Sequence, residues 1–244
     1  FPGSPAAEAG MDRGDTLLTI GGRAVADLIR TGEINTVFGA EQEGVAVAFT
    51  WRDLAGREKG ATLVKRKVTI PTVSQTAVLN AGSSRVGYVH FRNFVQPSVE
   101  ALDTAFTQLR DQGATELVLD LRYNGGGLVS TAEVMNNLLG GARSTTEVQY
   151  RTVLNARKTA ENTTRNFRPT AQSVQPVRIA FLTTGATAPA SEINVNSMAP
   201  WVEVAIVGED TLGKPVGQYA FDISNCDDRL RLVTFKTVNA LGQG

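Results

Sequence analysis

The sequence predicts an α/β chain in two parts, a small β-rich unit followed by a larger domain of layered strands and helices. Residues 117–121 form a run that is apolar except for Asp120, which is typical of a strand in a sheet covered on both faces. After residue 85, strand-like runs alternate with helical periodicity in the order of an α/β layered domain. Before residue 70, short strand-like runs dominate instead.

The β-rich unit is expected to hold three strands and two short helices. The strand-like runs are at residues 16–20, 45–49 and 62–64. Helices are expected at residues 5–10, where a glycine closes the segment, and less regularly at 27–38. The Gly21-Gly22 pair predicts a hairpin turn. We place the end of this unit at residue 70 and interpret residues 71–84 as a linker.

The larger domain is predicted over residues 85–244. Strands are expected at residues 86–91, 117–121, 177–182 and 202–207. Helices are expected to begin at Pro97 and to cover residues 131–139 and 189–198. Residues 143–176 are polar and carry no clear pattern.

Charge and cysteine content exclude several classes of function. Lys plus Arg and Asp plus Glu each number 24, so the formal net charge is zero and neither nucleic acid nor an anionic membrane is favoured as a partner. One cysteine, Cys226, allows no internal disulfide, and with a single histidine it gives no basis for a Cys/His zinc site. We therefore expect no metal and no cofactor.

The chain shows no membrane span and no signal peptide. No run reaches the roughly 18 apolar residues that a span needs. Residues 1–5 look like the middle of a loop, and residues 241–244 stop without a terminator. We expect both ends to continue in a longer protein, so a missing signal peptide says little about compartment.

His90 lies within the predicted strand 86–91 and is the only possible imidazole base. No Gly-x-Ser-x-Gly elbow is present to pair with it. A structural role is therefore the interpretation we favour for this histidine.

Three segments that follow predicted buried strands could carry chemistry. In residues 122–128, Gly125 and Gly126 would free the backbone to turn so that N–H groups face a developing oxyanion. The alternative is a tight turn without a ligand. Residues 184–193 are small enough for a substrate to approach the backbone. The alternative there is a plain helix N-terminus, with Thr187 as cap and Pro189 in the first turn.

The third segment, residues 208–218, contains Lys214 between a glycine and a proline. A desolvated lysine can lose its proton near neutral pH and act as a base. The alternative is an ordinary solvated lysine.

Together these segments resemble the carboxyl-terminal processing peptidases, also called tail-specific proteases. Residues 119–128 resemble the family's Asp-Leu-Arg-x-Asn-x-Gly-Gly signature, and residues 188–193 resemble its Ala-Ser-Ala-Ser-Glu-Ile segment. Residues 208–218 resemble its lysine segment, residues 85–94 the strand that opens its protease core, and residues 2–22 the centre of its PDZ domain. The order of these motifs makes the resemblance specific.

The resemblance implies both fold and activity. It implies a PDZ-like domain at residues 1–70 without its N-terminal strand, then a ClpP/crotonase-like peptidase core at residues 85–244. It also implies a serine-type hydrolase that cleaves polypeptides or protein C-termini in an extracytoplasmic space, periplasmic or secreted.

The family's catalytic residues carry over with one departure. Its general-base lysine falls on Lys214, and the glutamine that orients the lysine falls on Gln218. The resemblance places oxyanion-binding backbone groups at Gly125, Gly126 and Ala190. The nucleophilic serine, the first of Ser-Ala-Ser-Glu, falls on Pro189.

Proline has no hydroxyl and cannot be a nucleophile. The family's second serine falls on Ser191, which in a helix would be rotated by about 200° from position 189 and away from Lys214. Two functions therefore remain open. One is a Ser/Lys peptidase whose nucleophile has been replaced; the other is a catalytically inactive relative that binds peptides or acts as a scaffold.

Overall fold

A computed structural model describes residues 1–224 and 226–244. The chain divides into two compact units, Phe1–Ile70 and Pro71–Gly244. Helices and strands alternate through the larger unit, which confirms the predicted α/β class. Among the residues described, no helix has the length and apolarity needed to cross a bilayer.

The first unit is built on a four-stranded antiparallel sheet. Its strands are β1 (Thr16–Ile20), β2 (Arg23–Ala24), β3 (Ala46–Arg52) and β4 (Glu58–Val64), in the order β2-β1-β3-β4. Two short helices accompany it, α1 (Pro5–Glu8) and α2 (Val25–Arg30). Ile20, Leu28 and Val47 form its small buried core.

Helix α2 is shorter than the sequence predicted. The expected helix at 27–38 ends at Arg30, because Gly32 adopts a left-handed conformation with φ +73° and turns follow. Val37 and Phe38 still pack against the small core from these turns. Their helix-like spacing therefore reflects packing of irregular backbone.

The second unit contains a five-stranded sheet in the order β11-β10-β7-β6-β5. The strands are β5 (Val73–Ala81), β6 (Ser84–Phe91), β7 (Glu116–Asp120), β10 (Arg178–Thr183) and β11 (Glu203–Gly208). Strand β5 is antiparallel to β6, and the other four strands are mutually parallel. Three helices belong to this unit: α3 (Ser98–Asp111), α4 (Val129–Leu139) and α5 (Pro189–Met198).

A second sheet is formed by segments in which the sequence predicted no strands. It comprises β8 (Val148–Leu154), β9 (Thr163–Asn166), β12 (Val216–Asp222) and β13 (Arg229–Val238), in the antiparallel order β12-β13-β8-β9. Most side chains of β12 and β9 are exposed, so these strands lack the burial that produces a readable alternation.

Residues 71–84, interpreted from the sequence as a linker, are largely a strand. Strand β5 pairs with β6 from Val73 to Ala81, and Val73 and Val78 pack against the main core. As an edge strand, β5 keeps several polar residues at the surface, and this polarity resembled a linker.

The parallel strands fix where the chemistry-bearing segments meet. Strands β7, β10 and β11 run in the same direction, so their carboxyl ends lie at one edge of the sheet. Residues 122–128, 184–193 and 208–218 follow these three ends. Such edges are where open α/β sheets bind ligands.

Candidate active site

Residues 122–128, which follow β7, are called the glycine loop. Asn124 is buried and links this loop to helix α5. Its side chain donates from Nδ2 to the Phe91 carbonyl at 2.9 Å and accepts from the Gly126 N–H at 3.0 Å. Its backbone carbonyl accepts from the Ala188 N–H at 3.1 Å and from the Ser191 hydroxyl at 3.3 Å. One residue thus joins the end of β6, the glycine loop and the start of α5.

Asp120 fixes the entrance to the same loop. Its buried carboxylate accepts hydrogen bonds from Arg122 Nε at 2.9 Å, Arg122 Nη2 at 2.6 Å and the Arg122 backbone N–H at 3.1 Å. Tyr88 donates a further hydrogen bond at 2.8 Å. Burial alone would raise the pKa of Asp120, but these hydrogen bonds outweigh it and hold the pKa below the ordinary value.

The loop packs so closely that two positions require glycine. A Cβ on Gly126, where φ is +90°, would lie 3.0 Å from the Ala190 nitrogen and 3.1 Å from the Ala188 carbonyl oxygen. A Cβ on Gly127 would lie 2.2 Å from the Phe94 carbonyl oxygen. The loop is therefore in direct backbone contact with the first turn of α5.

Two of the three expected oxyanion donors are free, and one is not. The Gly126 N–H is engaged by Asn124 Oδ1, which corrects its expected role as a donor to the site. Within residues 1–224 and 226–244, the N–H groups of Gly125 and Ala190 have no hydrogen-bond partner. Ala190 lies in the first helical turn, where N–H groups have no acceptor within the helix.

Helix α5 begins at Pro189. Proline suits the first helical position, because its fixed φ matches the helix and its missing N–H would have no partner there. The N-cap is Ala188, so Thr187 is not the cap that the sequence allowed. The buried Thr187 hydroxyl instead donates to the Leu121 carbonyl at 2.8 Å and accepts from the Thr184 N–H at 3.0 Å.

Glu192 holds the lysine segment against α5. Its carboxylate accepts from the Gly213 N–H at 2.6 Å and from the Lys214 N–H at 3.1 Å. The backbone N–H groups of Gly213 and Lys214 are thereby held against the helix that begins with Pro189. Sequence reasoning gave Glu192 no role, although an acidic residue in a first helical turn is a recognisable signal.

A cavity of about 360 Å³ collects most of the predicted site residues. It is lined by Gly125, Gly127, Leu128, Val129, Pro189, Ala190, Ile193, Lys214, Val216, Gly217, Gln218, Arg231, Phe235 and Thr237. Pro189 and Lys214 also line a neighbouring cavity with Glu192. Ser191 lines neither cavity, because its buried hydroxyl is directed to the Asn124 carbonyl.

Lys214 and Gln218 share this cavity without pairing. In the part of the chain that the structure describes, neither side chain makes a hydrogen bond or an ion pair. A bulge between Gly217 and Gln218 interrupts the β12–β13 register. Gly217 cannot be larger, because a Cβ there would lie 2.0 Å from the Phe235 ring.

His90 and Cys226 lie outside this arrangement. His90 is on β6, and its Nδ1 is 3.0 Å from the Ser74 hydroxyl of the neighbouring strand, a structural contact. Cys226 is an exposed free thiol. The described residues contain no cluster of three His, Cys, Asp or Glu side chains that could hold a metal ion.

Comparison with protein families gives one match, which covers most of the second unit, Pro71–Gly244. The family described as Peptidase family S41 matches residues 85–244. This range contains the glycine loop, the start of α5, the lysine segment and both sheets except β5.

Curated relatives are carboxyl-terminal processing enzymes of bacteria and a chloroplast. The chain is 28% identical over 233 residues to a chloroplastic C-terminal processing peptidase of Tetradesmus obliquus, covering 92% of this chain and 48% of that protein. It is 30% identical over 226 residues to a carboxyl-terminal-processing protease of Synechocystis, covering 91% and 50%. The Bacillus subtilis carboxy-terminal processing protease CtpA is 26% identical, with coverages of 99% and 48%. The chain therefore spans about half the length of these relatives.

Solved structures share the fold. A putative S41 protease of Bacteroides fragilis superposes with a TM-score of 0.80 at 23% identity, covering 99% of this chain and 65% of that one. The photosystem II D1 C-terminal processing protease superposes with a TM-score of 0.60 at 23% identity, covering 99% and 63%.

The Asp120 anchor predicts a pH-dependent contribution to stability. We expect Asp120→Asn to lower the free energy of unfolding at pH 7 by about 1.5–3 kcal/mol, because it removes the charged acceptor of buried hydrogen bonds. The folded-state pKa of Asp120 lies below the unfolded value of about 3.9. Its contribution is therefore complete above pH 4 and is lost as the pH falls through the folded-state pKa.

Urea unfolding of both proteins between pH 7 and pH 3 measures this difference. The matched control is Asp111→Asn, which removes an exposed ion pair with Arg110 and should have little effect. Equal losses in the two variants, or a gap that does not narrow in acid, would contradict the assigned role of Asp120.

The Glu192 contact predicts a local effect on backbone protection. We expect Glu192→Ala to speed amide exchange at Gly213 and Lys214 by roughly tenfold, the equivalent of about one charge-assisted hydrogen bond. NMR-detected hydrogen exchange measures each amide. Glu209→Ala is the control, because that carboxylate accepts from the Gly185 N–H at 3.0 Å and should affect Gly185 alone. Unchanged exchange at Gly213 and Lys214 would show that Glu192 does not hold the segment.

Proposed function

The chain belongs to peptidase family S41, and on that premise we propose that it carries a Ser/Lys peptidase site lacking only its nucleophile. The observation that supports the proposal is the shared cavity of Pro189, Lys214, Gln218, Gly125 and Ala190 at the carboxyl edge of the parallel strands. Each of the other parts of such a site has a candidate in that cavity.

With a serine at position 189, each remaining group has a definable role. Lys214 is the candidate general base, which takes the hydroxyl proton as the serine oxygen attacks the peptide carbonyl and later gives that proton to the leaving amine. The free N–H groups of Gly125 and Ala190 are the candidate donors to the oxyanion. Gln218 is the candidate to orient the Lys214 side-chain nitrogen. The two side chains are not hydrogen-bonded, so they must first approach each other. Water then hydrolyses the acyl-enzyme.

As the sequence stands, Pro189 leaves Lys214 with no hydroxyl to deprotonate at that position. Ser191 does not replace it, because its side chain is fully buried and bonded to the Asn124 carbonyl. We therefore propose that this chain binds polypeptide at the cavity without cleaving it. The second candidate function is that of a peptide-binding or scaffold protein, which would use the same site without a nucleophile.

Substrate and location follow from the relatives by inference alone. The names of the relatives specify carboxyl-terminal processing, so we propose that the ligands are polypeptides held near a C-terminus in an extracytoplasmic space. We further propose that the first unit, a four-stranded antiparallel sheet with two short helices, is a PDZ-like domain and that residues 85–244 form the peptidase core.

Restoring the nucleophile tests the proposal. We expect the unsubstituted chain to cleave no unstructured polypeptide, and Pro189→Ser to cleave it, because the substitution supplies the one absent group. Adding Lys214→Ala to Pro189→Ser should remove the gained activity by several orders of magnitude, as loss of one member of a catalytic unit does. Peptide release at equal protein concentrations is the measurement.

Ser191→Ala in the Pro189→Ser background is the control and should leave the gained cleavage in place. Cleavage by the unsubstituted chain that survives Lys214→Ala would place the active site elsewhere. A folded Pro189→Ser variant without cleavage would favour the peptide-binding function.

A further inference from the structure

The cavity around Pro189 carries positive charge and no lining carboxylate. Two of its lining residues have basic side chains, Lys214 and Arg231, and no aspartate or glutamate lines it. Glu192 lines the neighbouring cavity instead, and its oxygens accept the Gly213 and Lys214 N–H groups. Like charges gathered in a partly enclosed space favour an anionic occupant.

Arg231 is the cation without an assigned task. It lies on β13 opposite Ala220 of β12, and its side chain is exposed. Across residues 1–224 and 226–244 it makes no ion pair or hydrogen bond. By contrast, Arg229, two residues earlier on the same strand, pairs with Asp222 through two nitrogens at 2.5 and 3.1 Å.

We propose that Arg231 is a specificity-determining residue that binds a carboxylate of the bound polypeptide beside position 189. This inference rests on the proposed function, because it assumes that a polypeptide occupies the cavity. The planar guanidinium presents paired N–H donors that match a carboxylate, whereas the Lys214 ammonium adds a point charge. The site therefore selects peptides that bring a carboxylate to this cavity over neutral ones.

The remaining lining fits the stem of such a residue. Leu128, Val129, Ile193, Val216 and Phe235 supply apolar wall beside the two cations. A cavity of about 360 Å³ is at the small end of ligand pockets, which suits one or two residues and not a folded partner. A cavity lined by both apolar side chains and a basic one is complementary to an aliphatic stem that ends in a carboxylate.

The carboxylate can come from two sources with the same chemistry. One is the side chain of an internal aspartate or glutamate; the other is the free C-terminus of the polypeptide. Three fluorescent peptides of one sequence separate them: a neutral peptide with an amidated end, the same peptide with one glutamate and an amidated end, and the neutral peptide with a free C-terminus.

Binding of these peptides to the chain as it stands is measured by fluorescence anisotropy at low salt. We expect one or both carboxylate peptides to bind about tenfold tighter than the neutral amide, the effect of one charge-assisted contact. Arg231→Gln should abolish this preference. Arg229→Gln is the matched control on the same strand and should leave the preference in place. The source of the carboxylate is identified by which of the two carboxylate peptides binds more tightly than the neutral amide.

Equal binding of all three peptides, absence of binding, or a preference that survives Arg231→Gln would overturn the inference. Cleavage by Pro189→Ser provides a separate outcome. If that variant cleaves but no Arg231-dependent preference is found, the inference fails and the peptidase proposal stands. If the preference is found and the variant does not cleave, the peptidase proposal fails and the carboxylate site stands.

Discussion

The arrangement of the site depends on the buried hydrogen bonds of Asn124. This side chain and its carbonyl connect the end of a parallel strand, the glycine loop and the first turn of α5. The loop can approach the helix only because Gly126 has no side chain, since a Cβ would meet the Ala190 nitrogen at 3.0 Å. A buried polar group is costly unless it is satisfied, so this network has strong preference for one geometry. Asp120 and Glu192 hold the entrance of the loop and the lysine segment through further hydrogen bonds, which are more exposed than those of Asn124.

The hydrogen bonds of Asn124, Asp120 and Glu192 do not involve the side chain at position 189. Pro189 occupies the first position of α5, where proline suits the backbone and where no N–H is needed. On the proposed function, the cavity, the free N–H groups and Lys214 can therefore stay in place whether or not position 189 carries a nucleophile. Fold and chemistry separate at one residue, which is why membership of a peptidase family does not by itself establish turnover.

In the larger domain, the sequence predicted the four parallel strands and missed the edge strand β5 and the second sheet. Strand β7 and the loop after it were readable because a mostly apolar run at 117–121 is followed shortly by the three glycines at 125–127. The residue ranges 71–84, 216–222 and 229–238 were not assigned as strands, because an edge strand and an exposed hairpin keep mixed polarity. The candidate site was predicted at Pro189 and Lys214 through motif order.

Other features of the site depend on contacts that no local pattern encodes. The Gly126 N–H donates to Asn124, and the Lys214 N–H donates to Glu192. Both hydrogen bonds become evident only when the glycine loop, helix α5 and the lysine segment are folded together. Arg231 lies outside every motif and reaches the cavity through the pairing of β12 with β13.

We propose that a nucleophile at position 189 is the one group that the site lacks. The most direct measurement of this is labelling of Pro189→Ser by a serine-directed fluorophosphonate, read by intact mass and mapped by peptide sequencing. We expect one adduct at position 189 that disappears with Lys214→Ala and is absent from the unsubstituted chain. An adduct at Ser191, or labelling that does not depend on Lys214, would contradict it.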